Sequence, residues 1–148
     1  MRPHDEADDE VARERELLAL WAVGRGIEGA QAALARGYGA TVLVADALAA
    51  HLSALMPSCA VEQARRNDRW HWERRNDPKA PALRLEGEVL EAVRAWGLPI
   101  VHEPDLETGI LVDGICRVQG GPYAERFTAV VLTLVTVDGN VTIFVRAE

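Results

Sequence analysis

Two stretches of this chain hold side chains able to do chemistry. The first runs Arg65-Arg66-Asn67-Asp68-Arg69-Trp70-His71-Trp72-Glu73-Arg74-Arg75-Asn76-Asp77, with RRND repeated around Trp-His-Trp. Guanidiniums offer planar, charge-assisted N–H forks to carboxylate or phosphate, and interleaved indoles offer flat apolar area for stacking. Trp and Arg also dominate the energetics of protein interfaces. An acidic protein surface, single-stranded nucleic acid or a phosphorylated ligand would suit this composition, so Arg65, Arg66, Arg69, Trp70, Trp72, Arg74 and Arg75 form the candidate partner-binding set. The plainer alternative lets Trp70 and Trp72 close one edge of the core while the arginines pair with Asp68, Glu73 and Asp77. The second stretch is His102-Glu103-Pro104-Asp105-Leu106-Glu107. An imidazole beside carboxylates can serve as a general base or start a metal site, which makes His102 and Glu103 the catalytic candidates. No second His or nucleophile lies nearby, so an acidic turn with a carboxylate-paired histidine is the simpler reading. Ser53 and Ser58 lack the glycine context of a nucleophile elbow. Cys59 and Cys116 are far apart with no CxxC partner, which supports neither a zinc site nor a disulfide. His51 reads as a hydrogen-bonded core histidine. No metal, no cofactor and no catalytic triad are expected.

A third pattern is glycine-rich. Gly24-Arg25-Gly26-Ile27-Glu28-Gly29 precedes an Ala-rich helix, an apolar TVLVA and then Asp46. Residues 17–46 thereby resemble the dinucleotide-binding fingerprint, in which the glycines admit the pyrophosphate and a later acid holds the ribose. The resemblance implies Gly24, Gly26, Gly29 and Asp46 as cofactor contacts. Against it, EVARERELLALWAV reads as helix where the fingerprint needs a strand, and no further beta-alpha-beta units follow. The bland reading is a helix break. The same stretch also looks like the helix-turn-helix of LuxR-type response regulators. Its recognition helix would be Thr41 to Leu52, which has no Lys or Arg and includes Asp46, so it can neither neutralise phosphates nor read guanine edges.

The elements that must position these groups divide the chain in two. Residues 1–8 have little to bury and read as a flexible acidic tail, leaving 9–148 as a single domain. A helix starts at Asp9 with Val11, Leu18 and Ala22 inward; a short second helix, Glu28 to Arg36, ends at Gly37, which suits a left-handed cap. TVLVADALAAHLSALM is apolar all round: a buried helix, or a strand running into a helix at Asp46. Residues 58–82 read as a long Arg/Trp-rich connection. Leu83 to Trp96 has helix periodicity, with Leu85, Val89, Val93 and Trp96 on one face. Strands follow: Ile100 to Glu103, a tight hairpin at Asp113-Gly114, a turn at Gly120-Gly121-Pro122, the long Phe127 to Val137, and Val141 to Val145 after Asp138-Gly139-Asn140. Phe127 to Val137 is apolar on both sides and should be central. The fold class is therefore α+β, with about three N-terminal helices followed by a helix packed on a four- or five-stranded antiparallel meander. A curved sheet behind a helix could enclose a small-ligand cavity with His102 and Glu103 as an acid/base pair, and the last turn and strand resemble NTF2-like pocket proteins.

Composition bounds the rest. The chain has 148 residues, 49% of them hydrophobic, and a net charge of -7, so it can bury a core and repels a phosphate backbone except at the arginine cluster. Lys79 is the single lysine beside fifteen arginines, a usage that fits a GC-rich bacterial genome. No leader or membrane-spanning run opens the chain, which points to a reducing, cytoplasmic setting. AVVLTLVTV would aggregate if uncovered, so helix 83–96 must cover one face and either the N-terminal helices or a second copy the other; a homodimer through the sheet is the expectation. Together these features favour a non-enzymatic adaptor with a protein partner. A small-ligand pocket protein is the second reading, and nucleotide or nucleic-acid binding the third.

Overall fold

The computed structural model describes residues 3–64, 69–74, 80–102, 108–120 and 123–147. Helix α1 spans Pro3–Gly24, six residues longer at its start than the apolar stripe implies. Proline costs nothing in a first turn, where its missing N–H would have no partner. Leu18 and Ala22 face the core, and Leu17 and Leu20 face outward. Helix α2 (Ala30–Arg36) is closed by Gly37 at φ 79, the left-handed cap expected. Residues 41–46 are helical: α3 runs Ala40–Leu55. It buries Thr41, Val44, Ala45, Leu48 and Leu52 and leaves Val42 and Leu55 exposed, so it lies on the core surface rather than through its centre. Helix α4 spans Ala80–Trp96 and buries Leu85, Val89 and Val93.

The strands are β1 (Cys59–Gln63), β2 (Trp70–Arg74), β3 (Ile100–Val101), β4 (Gly109–Gly120), β5 (Tyr123–Thr136) and β6 (Gly139–Ala147). They form one sheet in the order β1-β6-β5-β4-β2, antiparallel throughout, with β3 added in parallel to the far end of β4. The fold is α+β, and β5 is its central strand. Two features depart from the sequence reading. The 58–82 connection contains two strands, short and polar, whose ladder partners lie in the last third of the chain. And Asp113-Gly114 makes no hairpin: β4 continues through it. Val112 pairs with Leu132 and Gly114 with Val131, so Asp113 is an extra residue, a β-bulge with Gly114 at φ 85.

Register forces the sheet to coil. Ala64 donates its N–H to the Thr142 carbonyl, level with Thr133 of β5, whereas Trp70 pairs with Gly120, beyond the Gln119–Arg126 pair. On a flat sheet those points would lie about 23 Å apart along the strands and about 19 Å across them. Six residue steps reach at most about 21 Å. The sheet therefore curls until its two edge strands come within reach of that segment. Aromatic contacts agree, because Trp70 on β2 sits 4.7 Å, ring to ring, from Phe144 on β6, although β4 and β5 separate the two strands.

Among the described residues, α3 and α4 pack on one face of the sheet, against a cluster that includes Ile110, Val130, Leu132, Leu134, Ile143 and Val145, and α1 and α2 join that cluster by packing on each other and on α3. The opposite face is also buried. Cys116, Val118, Ala129, Val131 and Phe144 form a second cluster there, covered by Ala64, Trp70 and Phe127. The chain thus covers both sides of β5 without a second copy. Substituting Phe144→Ala should cost about 3–5 kcal/mol of unfolding free energy, and Gly114→Ala about 1–2 kcal/mol for the left-handed backbone, both read from urea denaturation.

Candidate functional site

Alternation along β2 sorts the Arg/Trp stretch. Trp70, Trp72 and Arg74 are opposite Gly120, Val118 and Cys116 on the curled face, while His71 and Glu73 are opposite Gln119 and Arg117 on the other. Aromatic residues favour this strand, and a glycine admits it: a Cβ on Gly120, at φ 122, would lie 2.2 Å from the Arg69 carbonyl oxygen. Trp70 is an anchor. It packs edge-on to Phe127 at 6.2 Å and against Phe144 at 4.7 Å. Trp72 meets Phe144 edge-on at 5.9 Å, yet it stays 38% exposed. Arg69, His71, Glu73 and Arg74 are exposed as well. Arg65, Arg66 and Arg75 lie outside the described residues.

Arg74 belongs to a polar group at the bulge. A Cβ on Gly114 would be 2.8 Å from Glu86 Oε1 and 3.5 Å from Arg74 Nη2, which brings both side chains to that backbone. Burial lifts the Asp113 carboxyl above its ordinary range; the Arg74 charge and a hydrogen bond from the Thr133 hydroxyl oppose the rise. Burial, reinforced by the Asp113 carboxylate, pushes the neighbouring Cys116 thiol up to about 11. A thiol so protonated and enclosed is a poor nucleophile.

The other candidates do not converge. Gly24, Gly26 and Gly29 join helix α1 to helix α2, so no strand precedes them and the phosphate-binding context is missing. Asp46 is exposed and accepts a hydrogen bond from Gln63 Nε2 at 3.0 Å. His51 packs on Trp96 at 4.8 Å and lies 3.3 Å from the Ala92 carbonyl, as a core histidine should. His102 is exposed after β3, and Glu103 lies outside the described residues. A cleft of about 390 Å³ separates the end of α3 from α4, lined by Leu55 to Ser58, Glu88, Glu91, Ala92 and Ala95, with His102 elsewhere. Among the described residues no group of His, Cys, Asp and Glu could hold a metal, and no helix is long and apolar enough to cross a membrane.

The sequence reading missed the bulge group of Asp113, Glu86 and Arg74. Its signal was a phase slip. Ile110 and Val112 face the helices, but beyond Asp113-Gly114 that role passes to Ile115, while Cys116 and Val118 turn to the curled face. Comparison of the chain with family models, with curated proteins and with solved structures finds no match in any of the three.

Two titrations follow from the group. A folded-state carboxyl raised by burial favours the fold while protonated and loses that contribution as pH rises through its native pKa. Asp113→Asn should therefore raise the thermal midpoint at pH 7 and leave it unchanged near the acid end of the range. Native Cys116 should resist a thiol reagent at pH 8 and react only on unfolding, after the half-buried Cys59.

Proposed function

We propose that this protein is a non-enzymatic adaptor that binds a protein partner through the exposed side of β2, in the manner of secretion chaperones, toxin-neutralising proteins or accessory subunits. One observation carries the reading: Trp72 stands 38% exposed against the buried ring of Phe144, on a strand that ends the sheet. An indole fixed from behind loses little freedom on binding, and the exposed Arg69 just before β2 offers a fork for carboxylates. Charge segregation supports an acidic partner surface, because this arginine-rich stretch sits in a chain of net charge -7. A bacterial origin and a reducing cytoplasm belong to the same proposal; the free thiols of Cys59 and Cys116 favour the latter.

The experiment is affinity capture from the source cell, followed by direct titration of the captured protein. Trp72→Ala with Arg69→Glu should weaken binding about 30-fold or more, the scale of losing a hot spot of about 2 kcal/mol. Wild-type affinity in that variant, or turnover of a small molecule by the purified protein, would overturn the reading. Salt-sensitive binding of single-stranded oligonucleotide in place of any protein would move the surface to nucleic acid.

A further inference from the structure

The two edges of the sheet are not equivalent. Every residue of β1 is half-buried, whereas His71, Trp72, Glu73 and Arg74 of β2 are all exposed. An exposed edge is a template for another strand, and proteins blunt it with proline, lysine, a bulge or a cover. Strand β2 is short and carries Glu73 and Arg74, but it has none of the first three: Trp70-His71-Trp72-Glu73-Arg74 contains no Pro or Lys and runs in unbroken register with β4.

We propose that the cover is a second copy: β2 pairs antiparallel with β2 of a partner subunit about a two-fold axis at Trp72, joining the two sheets into one. The argument is self-complementarity. Directly opposite residues in an antiparallel pair lie on the same face and within contact distance. With the axis at Trp72, the two indoles meet each other. His71 then faces Glu73 of the partner subunit on either side of the axis. Glu73 already has Arg117 opposite it on β4, so its outer flank completes the row. Moving the axis to Glu73 sets two carboxylates against each other, and moving it to His71 sets two imidazoles against each other in place of the two His71–Glu73 pairs. Such a contact is isologous and closes at two subunits.

This inference shares the exposed β2 with the adaptor reading but predicts a different occupant of it. The test is sedimentation of the full chain at roughly 100 µM, well above the dissociation constant of a specific contact. Twice the 16.2 kDa monomer mass is expected. Glu73→Arg should raise the dissociation constant at least tenfold with an unchanged far-ultraviolet spectrum, and His71→Glu combined with Glu73→Arg should restore the dimer. Should either variant misfold, Trp72→Cys in a Cys59→Ser background takes its place, because a residue on the two-fold axis must form a symmetric disulfide on oxidation. A monomeric wild type, a dimer indifferent to Glu73→Arg, a double variant no better than the single, or a missing cross-link would each overturn the proposal. A monomer whose captured partner is lost with Trp72 and Arg69 defeats the dimer alone; a dimer whose captured partner ignores them defeats the adaptor reading alone.

Discussion

The short tie between Ala64 and Trp70 constrains everything around it. Strands β1 and β2 stand at opposite ends of the strand order, and the chain between them is too short to cross a flat sheet. The sheet must coil, and coiling gives it an inside. That inside is narrow, so flat aromatic rings fill it well: Phe144 at the centre, with Trp70, Trp72 and Phe127 meeting it at edge or tilted angles. With the curled face occupied by the sheet's own side chains, the helices have only the other face to cover.

That division resolves the problem posed by β5. A strand with Val130, Leu132 and Leu134 on one side and Ala129 and Val131 on the other gains on the order of 1.5–3 kcal/mol for each large side chain fully buried, and would expose several such groups if one face were bare. The helices take the first row and the aromatic cluster the second. A second copy is therefore not needed over the face, and the expectation of a dimer formed there loses its ground. What coiling cannot hide is the edge, because closing a barrel requires β1 and β2 to pair and they do not.

Elements with local causes were legible in the sequence. Helix α4 follows from its apolar period, the α2 cap from Gly37, and the centrality of β5 from its two apolar rows. The β5–β6 turn came from Asp138-Gly139, where Gly139 has φ 128. Elements with distant causes were not. Strands β1 and β2 are five residues each, carry charges, and exist because β6 and β4 supply their ladders. Asp113-Gly114 fits a hairpin and a bulge equally by type, and the backbone needs a positive φ in both. Only the slip in apolar phase from Val112 to Ile115 separates them, and seeing it requires knowing which face each flank serves. The Arg/Trp stretch is legible as a candidate surface, but not the environment of each residue in it, since alternation along β2 sends Trp70 and Trp72 to the curled face and His71 and Glu73 to the other.

The bulge completes that division of labour. By inserting Asp113 it keeps Ile110 and Val112 on the helix side while turning Cys116 and Val118 inward, so β4 serves two cores in succession. It also leaves a carboxyl partly desolvated beside Arg74, with Glu86 reaching the same backbone from α4. Arg74 thereby has carboxylates of its own chain at hand, and Trp70 has its ring in the core. What β2 offers outward is reduced to the half-exposed indole of Trp72 and the flanking Arg69, His71 and Glu73. A small recognition set is enough when it is rigid. Trp72 is fixed by its ladder opposite Val118 and by Phe144 behind it, so the entropy of ordering that side chain is already spent in folding and is not charged again when a ligand strand or surface arrives.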